Sequence, residues 1–248
     1  MKKPQHTPKA ISSSSIRLNK HIANSGVCSR READRLITNG QVTINGIKVS
    51  ELGISVNPAT DEIKVSGHFL PKIRRQYVLF HKPKGVITTR SDEKGRKSLY
   101  DVLPKKYHSL DPAGRLDRDS SGALILSNDG DFIYQVTHPK FHVPKVYQVT
   151  LDRPVSPTHI RKLTKGITLE PEGKLAQLTE VIQTGPKKLQ VVLLTGYNRQ
   201  IRRSFEAIGY EVTMLKRTAI GPVGLGNLRP GACRFLSPME MKTLRGKQ

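Results

Sequence analysis

Apolar residues in the first seventy positions recur at short intervals whose period changes from helical to alternating. Leu18 and Ile22 lie one helical turn apart, and Gly26 closes the helix they predict. Ser29-Arg30-Arg31-Glu32 then has the spacing of a capping box, in which serine and glutamate satisfy the free amides of a first turn. Ala33, Leu36 and Ile37 supply the apolar stripe of that second helix, and Gly40 stops it. Positions 41–44 and 47–49 alternate around Asn45-Gly46, the strongest short hairpin signal. A further strand is predicted over 62–65.

Positions 71–76 read as a linker. Beyond them, strands are predicted at 77–81, 86–89, 123–127, 146–151, 189–194 and 211–215, and helices at 132–137, 157–165 and 199–208. Strands outnumber helices and many are joined by Gly or Pro turns. The fold class expected is therefore α+β, with helices packed on a mainly antiparallel sheet. The domains expected are a tail at 1–15, a small helix–helix–hairpin domain at 16–70, the linker, and a larger domain at 77–248.

Charge changes the picture. The 248 residues hold 42 Lys plus Arg against 20 Asp plus Glu, a net charge of +22. Up to Arg75 there are 13 basic and five acidic residues, so both parts of the chain are cationic. That balance calls for a polyanionic partner, above all nucleic acid. A membrane surface fits less well, because no long basic amphipathic helix is predicted, and no apolar run approaches the roughly 18 residues of a bilayer span. Cys28 and Cys233 are far apart and have no companion pair, which fits a reducing cytoplasm and argues against a disulfide framework or thiolate metal site. Residues 1–15 combine lysines, prolines and serines without a signal-peptide core, and read as a flexible basic tail.

Three segments could carry chemistry. Gly114-Arg115-Leu116-Asp117-Arg118-Asp119-Ser120-Ser121-Gly122 sets an acid between arginines in a glycine-bounded loop, where neighbouring cations keep a carboxylate ionised beside a polyanion. By default such an aspartate is a turn residue bonding its own backbone. Asp117 and Asp119, two apart, do not converge on one bond as a glycosidase pair must; a second carboxylate from elsewhere could serve, but no motif announces one, so a single nucleophile is the simpler chemistry. Asn198 is placed to cap a helix bearing Arg199, Arg202, Arg203 and Glu206 on one stripe, a candidate anion site. Lys145, Tyr147 and Val149 share one face of an alternating strand. A strand tyrosine usually packs in a core, but in a pocket it can stack on a base or handle a proton.

Taken with Tyr77 to Val86, and with Leu215-Lys216-Arg217, Ile220-Gly221-Pro222 and Leu228-Arg229-Pro230-Gly231, these segments resemble the RsuA/RluB/RluE/RluF family of ribosomal RNA pseudouridine synthases over about Arg17 to Pro238. Arg17 to Lys20, Ser29 to Asp34, Gly40 to Val42 and Asn45-Gly46 resemble the alpha-L RNA-binding module of ribosomal proteins. The resemblance implies that Asp117 attacks the target uridine and that Tyr147 stacks on the base and moves a proton. It implies that Arg202 pairs with the aspartate and that Arg115 helps hold the RNA open. Arg17, Lys20, Arg30, Arg31, Arg35 and Lys48, with Arg199 and Arg203, are the candidate RNA contacts. The implied reaction is an isomerisation without cofactor or metal, on ribosomal RNA or a pre-ribosomal particle, the large subunit ahead of the small, by a monomer. Thr195 and Ser204 depart from the family's glutamate and methionine. The competing class is a non-catalytic RNA-binding assembly factor; the joint presence of Asp117, Tyr147 and Arg202 argues against it.

Overall fold

The computed structural model describes residues 15–72 and 74–246. Of the expected tail, all but Ser15 lies outside the described residues. The chain divides into two compact units, 1–74 and 75–248.

In the first unit, β1 (Ile16–Arg17) pairs with β4 (Ser55–Val56), and α1 (Leu18–Asn24) precedes α2 (Arg30–Thr38). Ser29 Oγ accepts from the Glu32 amide at 3.2 Å, but the reciprocal half of the expected box is not made. The Glu32 carboxylate turns instead to Arg35, one turn further on, at 3.3 Å. The hairpin β2 (Val42–Ile44) and β3 (Ile47–Val49) forms as its turn residues require, with Asn45 at φ 50° and Gly46 at φ 80°. β5 (Ile63–Val65) lies against β2, and β6 (His68–Phe69) against β5. The predicted apolar stripes meet in one core of Leu18, Ile22, Ala33, Ile37 and the inward residues of the strands. Arg17, Arg30, Arg31, Arg35 and Lys48 are left exposed and Lys20 half-buried.

The second unit is built on a nine-stranded sheet. Its strands are β7 (Tyr77–Lys82), β8 (Asp111–Pro112), β9 (Ser120–Ser127), β10 (Lys145–Leu151), β13 (Glu180–Gly185), β14 (Lys188–Leu193), β15 (Val212–Ile220), β16 (Val223–Gly224) and β17 (Cys233–Phe235). β11 (Ile167–Leu169) and β12 (Lys174–Ala176) form a separate hairpin. The main path runs β13-β14-β10-β15-β9-β7-β17, and every pair on it is antiparallel except β15 with β9. α3 (Gly130–Thr137), α4 (Pro157–Lys165), α5 (Gln200–Glu206) and α6 (Pro238–Arg245) complete the unit. β9 reads as a continuous apolar run because both of its faces are covered. Ala123 and Ile125 pack with α3 and α6, while Leu124 and Leu126 pack under Leu99, Leu103 and Leu110.

The strand expected at 86–89 is not formed. Ile87 makes only an isolated bridge to Ser98, since Thr88 spends its side chain on the neighbouring loop. β9 starts three residues earlier than expected, and β15 runs on to Ile220.

Candidate active site

The site is organised by a close approach of two strands. β15 runs parallel to β9 with Arg217 opposite Gly122, whose φ is +114°. A Cβ at that position would lie 2.7 Å from the backbone nitrogen of Arg217 and 2.8 Å from its carbonyl carbon, closer still to its oxygen. Only glycine admits both this φ and this contact. Across the gap, Arg217 Nε donates to the Ala123 carbonyl at 2.7 Å. On its other edge β15 pairs with β10, with Arg217 opposite Tyr147. The guanidinium lies 6.0 Å from the phenol ring centre, and Nη1 donates to the Tyr147 hydroxyl at 3.5 Å. Tyr147, Arg217 and Gly122 thus form a row across three adjacent strands.

Asp117 precedes that row in a braced loop. The Leu116 amide donates to Thr88 Oγ1 at 3.2 Å, and the same hydroxyl donates to the Leu116 carbonyl at 2.8 Å. The Gly85 amide donates to the Arg118 carbonyl at 2.7 Å, and the Ser120 amide closes the turn onto the Asp117 carbonyl at 3.1 Å. Lys82 lies beneath, 0% exposed, its ammonium donating to the carbonyls of Ser120 and Pro83 at 2.9 Å each. Burial pulls its pKa down to about 8, opposed by the negative charge of Asp117. Thr88→Val keeps the shape and strips both bonds from Leu116. It is expected to cost roughly 2 kcal/mol in denaturant unfolding.

These elements wall a cleft of about 470 Å³, lined by Asp117, Ser120, Lys145, Tyr147, Arg199 and Arg217 among others. Arg115 is on the same lining, and Asp117 and Tyr147 are half-buried. The cleft therefore joins the acid and the phenol singled out from the sequence, with Arg115, Arg199 and Arg217 as its arginines. Arg202 is not on the lining, and no ion pair joins it to Asp117 among the described residues. Its guanidinium donates instead to the carbonyls of Val212 at 2.6 Å and Asp119 at 3.0 Å, fixing the far side of the loop.

The polar stripe of α5 is also redistributed. Asn198 does not cap it; Arg199 takes the cap position at φ 48°, exposed, at the cleft. Gln200, buried, ties the preceding turn together, its Oε1 accepting from the Tyr197 amide at 3.1 Å and from Thr195 Oγ1 at 3.3 Å. Arg203 is held by Glu172 and by the Glu170 carbonyl, beside a smaller recess. Ser204, at the family's methionine position, is buried. Sequence reasoning assigned no role to Lys82, Arg217 or Ser120. The signal for the first two was a cation ending or interrupting an otherwise apolar strand.

A mainly antiparallel sheet opening on a cationic cleft with one acid at its wall, preceded by a basic helix–hairpin unit, defines an RNA-acting enzyme in two parts. Residues 76–207 match the RNA pseudouridylate synthase family, and residues 16–63 match the S4 domain. The chain belongs to the RNA pseudouridylate synthase family and is an isomerase carrying an S4 domain. It is 42% identical over 234 residues to ribosomal large subunit pseudouridine synthase B of Bacillus subtilis (strain 168), covering 92% of this chain and 95% of that one. It is 38% identical over 231 residues to dual-specificity RNA pseudouridine synthase RluF of Escherichia coli (strain K12), covering 92% and 78%. A crystal structure of a pseudouridylate synthase superposes with a TM-score of 0.69 at 30% identity, over 92% of this chain and 99% of that one. No helix among the described residues is long and apolar enough to cross a membrane.

Proposed function

We propose that this enzyme converts one uridine, or a small set, to pseudouridine in ribosomal RNA, the large-subunit RNA ahead of the small, with Asp117 as nucleophile. The observation that carries this reading is the placement of Asp117 and Tyr147 on one cleft with the buried guanidinium of Arg217 between strands. A carboxylate held by a braced loop is oriented as a nucleophile when the cleft is closed by substrate. Tyr147 offers a ring face for the base and a hydroxyl for a proton. Arg202, on whose guanidinium the charges of Asp119 and Asp117 act, holds the acid's loop through the Asp119 carbonyl, and Arg217 holds Tyr147.

The target base leaves its helix to enter the cleft, at a cost of a few kcal/mol of unstacking. Phosphate contacts supply the compensation. Arg115 and Arg199 sit at the cleft, and Arg17, Lys20, Arg30, Arg31, Arg35 and Lys48 carry the S4 unit's positive charge. The 42% identity to a large-subunit enzyme supports the preferred RNA. The enzyme acts as a monomer in the cytoplasm and needs no cofactor. Mapping carbodiimide adducts by reverse-transcription stops, in ribosomal RNA from cells with and without the protein, is the test. One or a few stops should vanish with the protein, most simply in large-subunit RNA. Identical stop patterns in both RNAs would overturn the assignment.

A further inference from the structure

Two buried hydrogen-bond donors on the cleft have no partner among the described residues, and a lysine stands beside them. Arg217 Nη2 and Ser120 Oγ are buried and meet no acceptor, in residues 4% and 1% exposed. Lys145, half-buried, stands two residues before Tyr147 on the same face of β10. No carboxylate pairs with it among the described residues, and the charge it feels is that of Arg217. Burial, aided by that like charge, pulls its pKa down to about 8. An unpaired ammonium in such a place costs stability that an apolar side chain of similar length would not. A ligand that brings negative charge to the cleft would offset the cost.

The reaction itself brings that charge. If the Asp117 carboxylate attacks C6 of the ring, an O–C6 bond forms and the C5–C6 π pair moves through C4 onto O4; the C1′–N1 bond then breaks and its pair stays on N1. If it attacks C1′ of the ribose, an O–C1′ bond forms and the C1′–N1 bond breaks. Its pair then stays on the base, shared between N1 and the carbonyl oxygens. On either route the base is anionic before it rejoins the ribose through C5. The carboxylate is then released with its own pair and the C5 proton ends on N1, so nothing else is consumed.

We propose that Lys145 is a catalytic residue whose ammonium, together with Nη2 of Arg217, donates to the carbonyl oxygens of the flipped uracil and stabilises the charge building there. The inference rests on the reading of the cleft as the isomerisation site. Fixed donors aimed at developing charge in a site closed to water are the strongest single catalytic device available to a side chain. Lysine and arginine offer donors only, so the same pair sets donor against donor if an exocyclic amine, as in cytosine, takes a carbonyl's place.

The test compares full-length wild type with Lys145→Met, Lys145→Arg and Asp117→Asn, on ribosomal RNA from cells lacking the enzyme. Lys145→Met should lose about 10²–10³-fold in kcat, the usual cost of removing one such donor, with KM within about threefold. Its Tm should equal or exceed that of the wild type, because a desolvated cation has gone. Lys145→Arg should recover at least about tenfold over Lys145→Met, since the charge is restored. A Lys145→Met kcat within about threefold of wild type, a loss confined to KM, or a lowered Tm that arginine does not restore would each overturn the proposal. A wild type that forms no pseudouridine would overturn the reading of the cleft instead.

Discussion

Asp117→Asn is expected to abolish pseudouridine formation while the protein stays folded and still binds RNA. The amide occupies the same volume on the cleft wall and can keep polar contacts, but it cannot donate an electron pair to carbon. Loss of a nucleophile that no neighbour can replace lowers kcat by on the order of 10⁴-fold or more. Asp119 cannot substitute. It is exposed and absent from the cleft lining, and its carbonyl anchors Arg202. Removing one negative charge from a cationic surface should leave RNA affinity equal or higher. The comparison to make is single-turnover rate against filter-binding affinity, with Asp117→Ala as a second variant. Retention of rate within about tenfold by either variant would remove Asp117 from the role of nucleophile. The alanine variant carries one added consequence. The Asp117 charge favours the ammonium of buried Lys82, so its loss should lower Lys82's pKa further. Its stability should therefore be more pH-dependent than that of the wild type between about pH 7 and the lysine reference value of about 10. The unfolded chain binds the proton that the folded one has lost, so stability rises with pH across that window.

How much of this was legible in the chain follows from how local each instruction is. Asn45-Gly46 names a turn by the φ its two residues accept, and the hairpin stands where it was expected. Gly114 to Gly122 could be singled out because its acid, cations and glycines lie within nine residues. The identity of the arginine opposite Tyr147 could not be read that way. Arg202 and Arg217 each follow another basic or polar residue closely in the chain, and neither is marked out by its neighbours. Which of them enters the cleft depends on a parallel seam of three residue pairs between β9 and β15, far apart in sequence. Antiparallel neighbours announce themselves by turns, and a seam between distant strands has no such mark. The alternation at 86–89 misled for a related reason. Thr88 is a good strand residue, but its hydroxyl bonds both backbone groups of Leu116, and the segment braces a loop instead of extending the sheet. Lys82 is a third case. A lysine closing an apolar strand suggests a solvated end, whereas here the loop folds over it and supplies two carbonyls.

Gly122→Ala is expected to be the most damaging single methyl in the molecule. The new Cβ would have to share space with the Arg217 backbone, and backbone cannot rotate away as a flexible side chain can. Residue 122 would also be held at φ +114°, where an L side chain is strained. Relief requires β15 to draw back from β9. That breaks the seam joining the two antiparallel halves of the sheet and pulls Arg217 Nε from the Ala123 carbonyl. A cost on the order of 4 kcal/mol or more follows, enough to leave much of the protein unfolded or insoluble. Gly85→Ala is the control: φ is +87° there as well, yet no atom lies within 4 Å of its added Cβ. Conformational strain alone should then cost roughly 1 kcal/mol. Urea midpoints of the two variants separate steric exclusion from strain. Midpoints that fall together would mean that the seam tolerates a methyl group. If Gly122→Ala does fold, a shift of Arg217 by about 1 Å should still lower kcat by about 10²-fold, because that one approach of strands sets the guanidinium against the phenol.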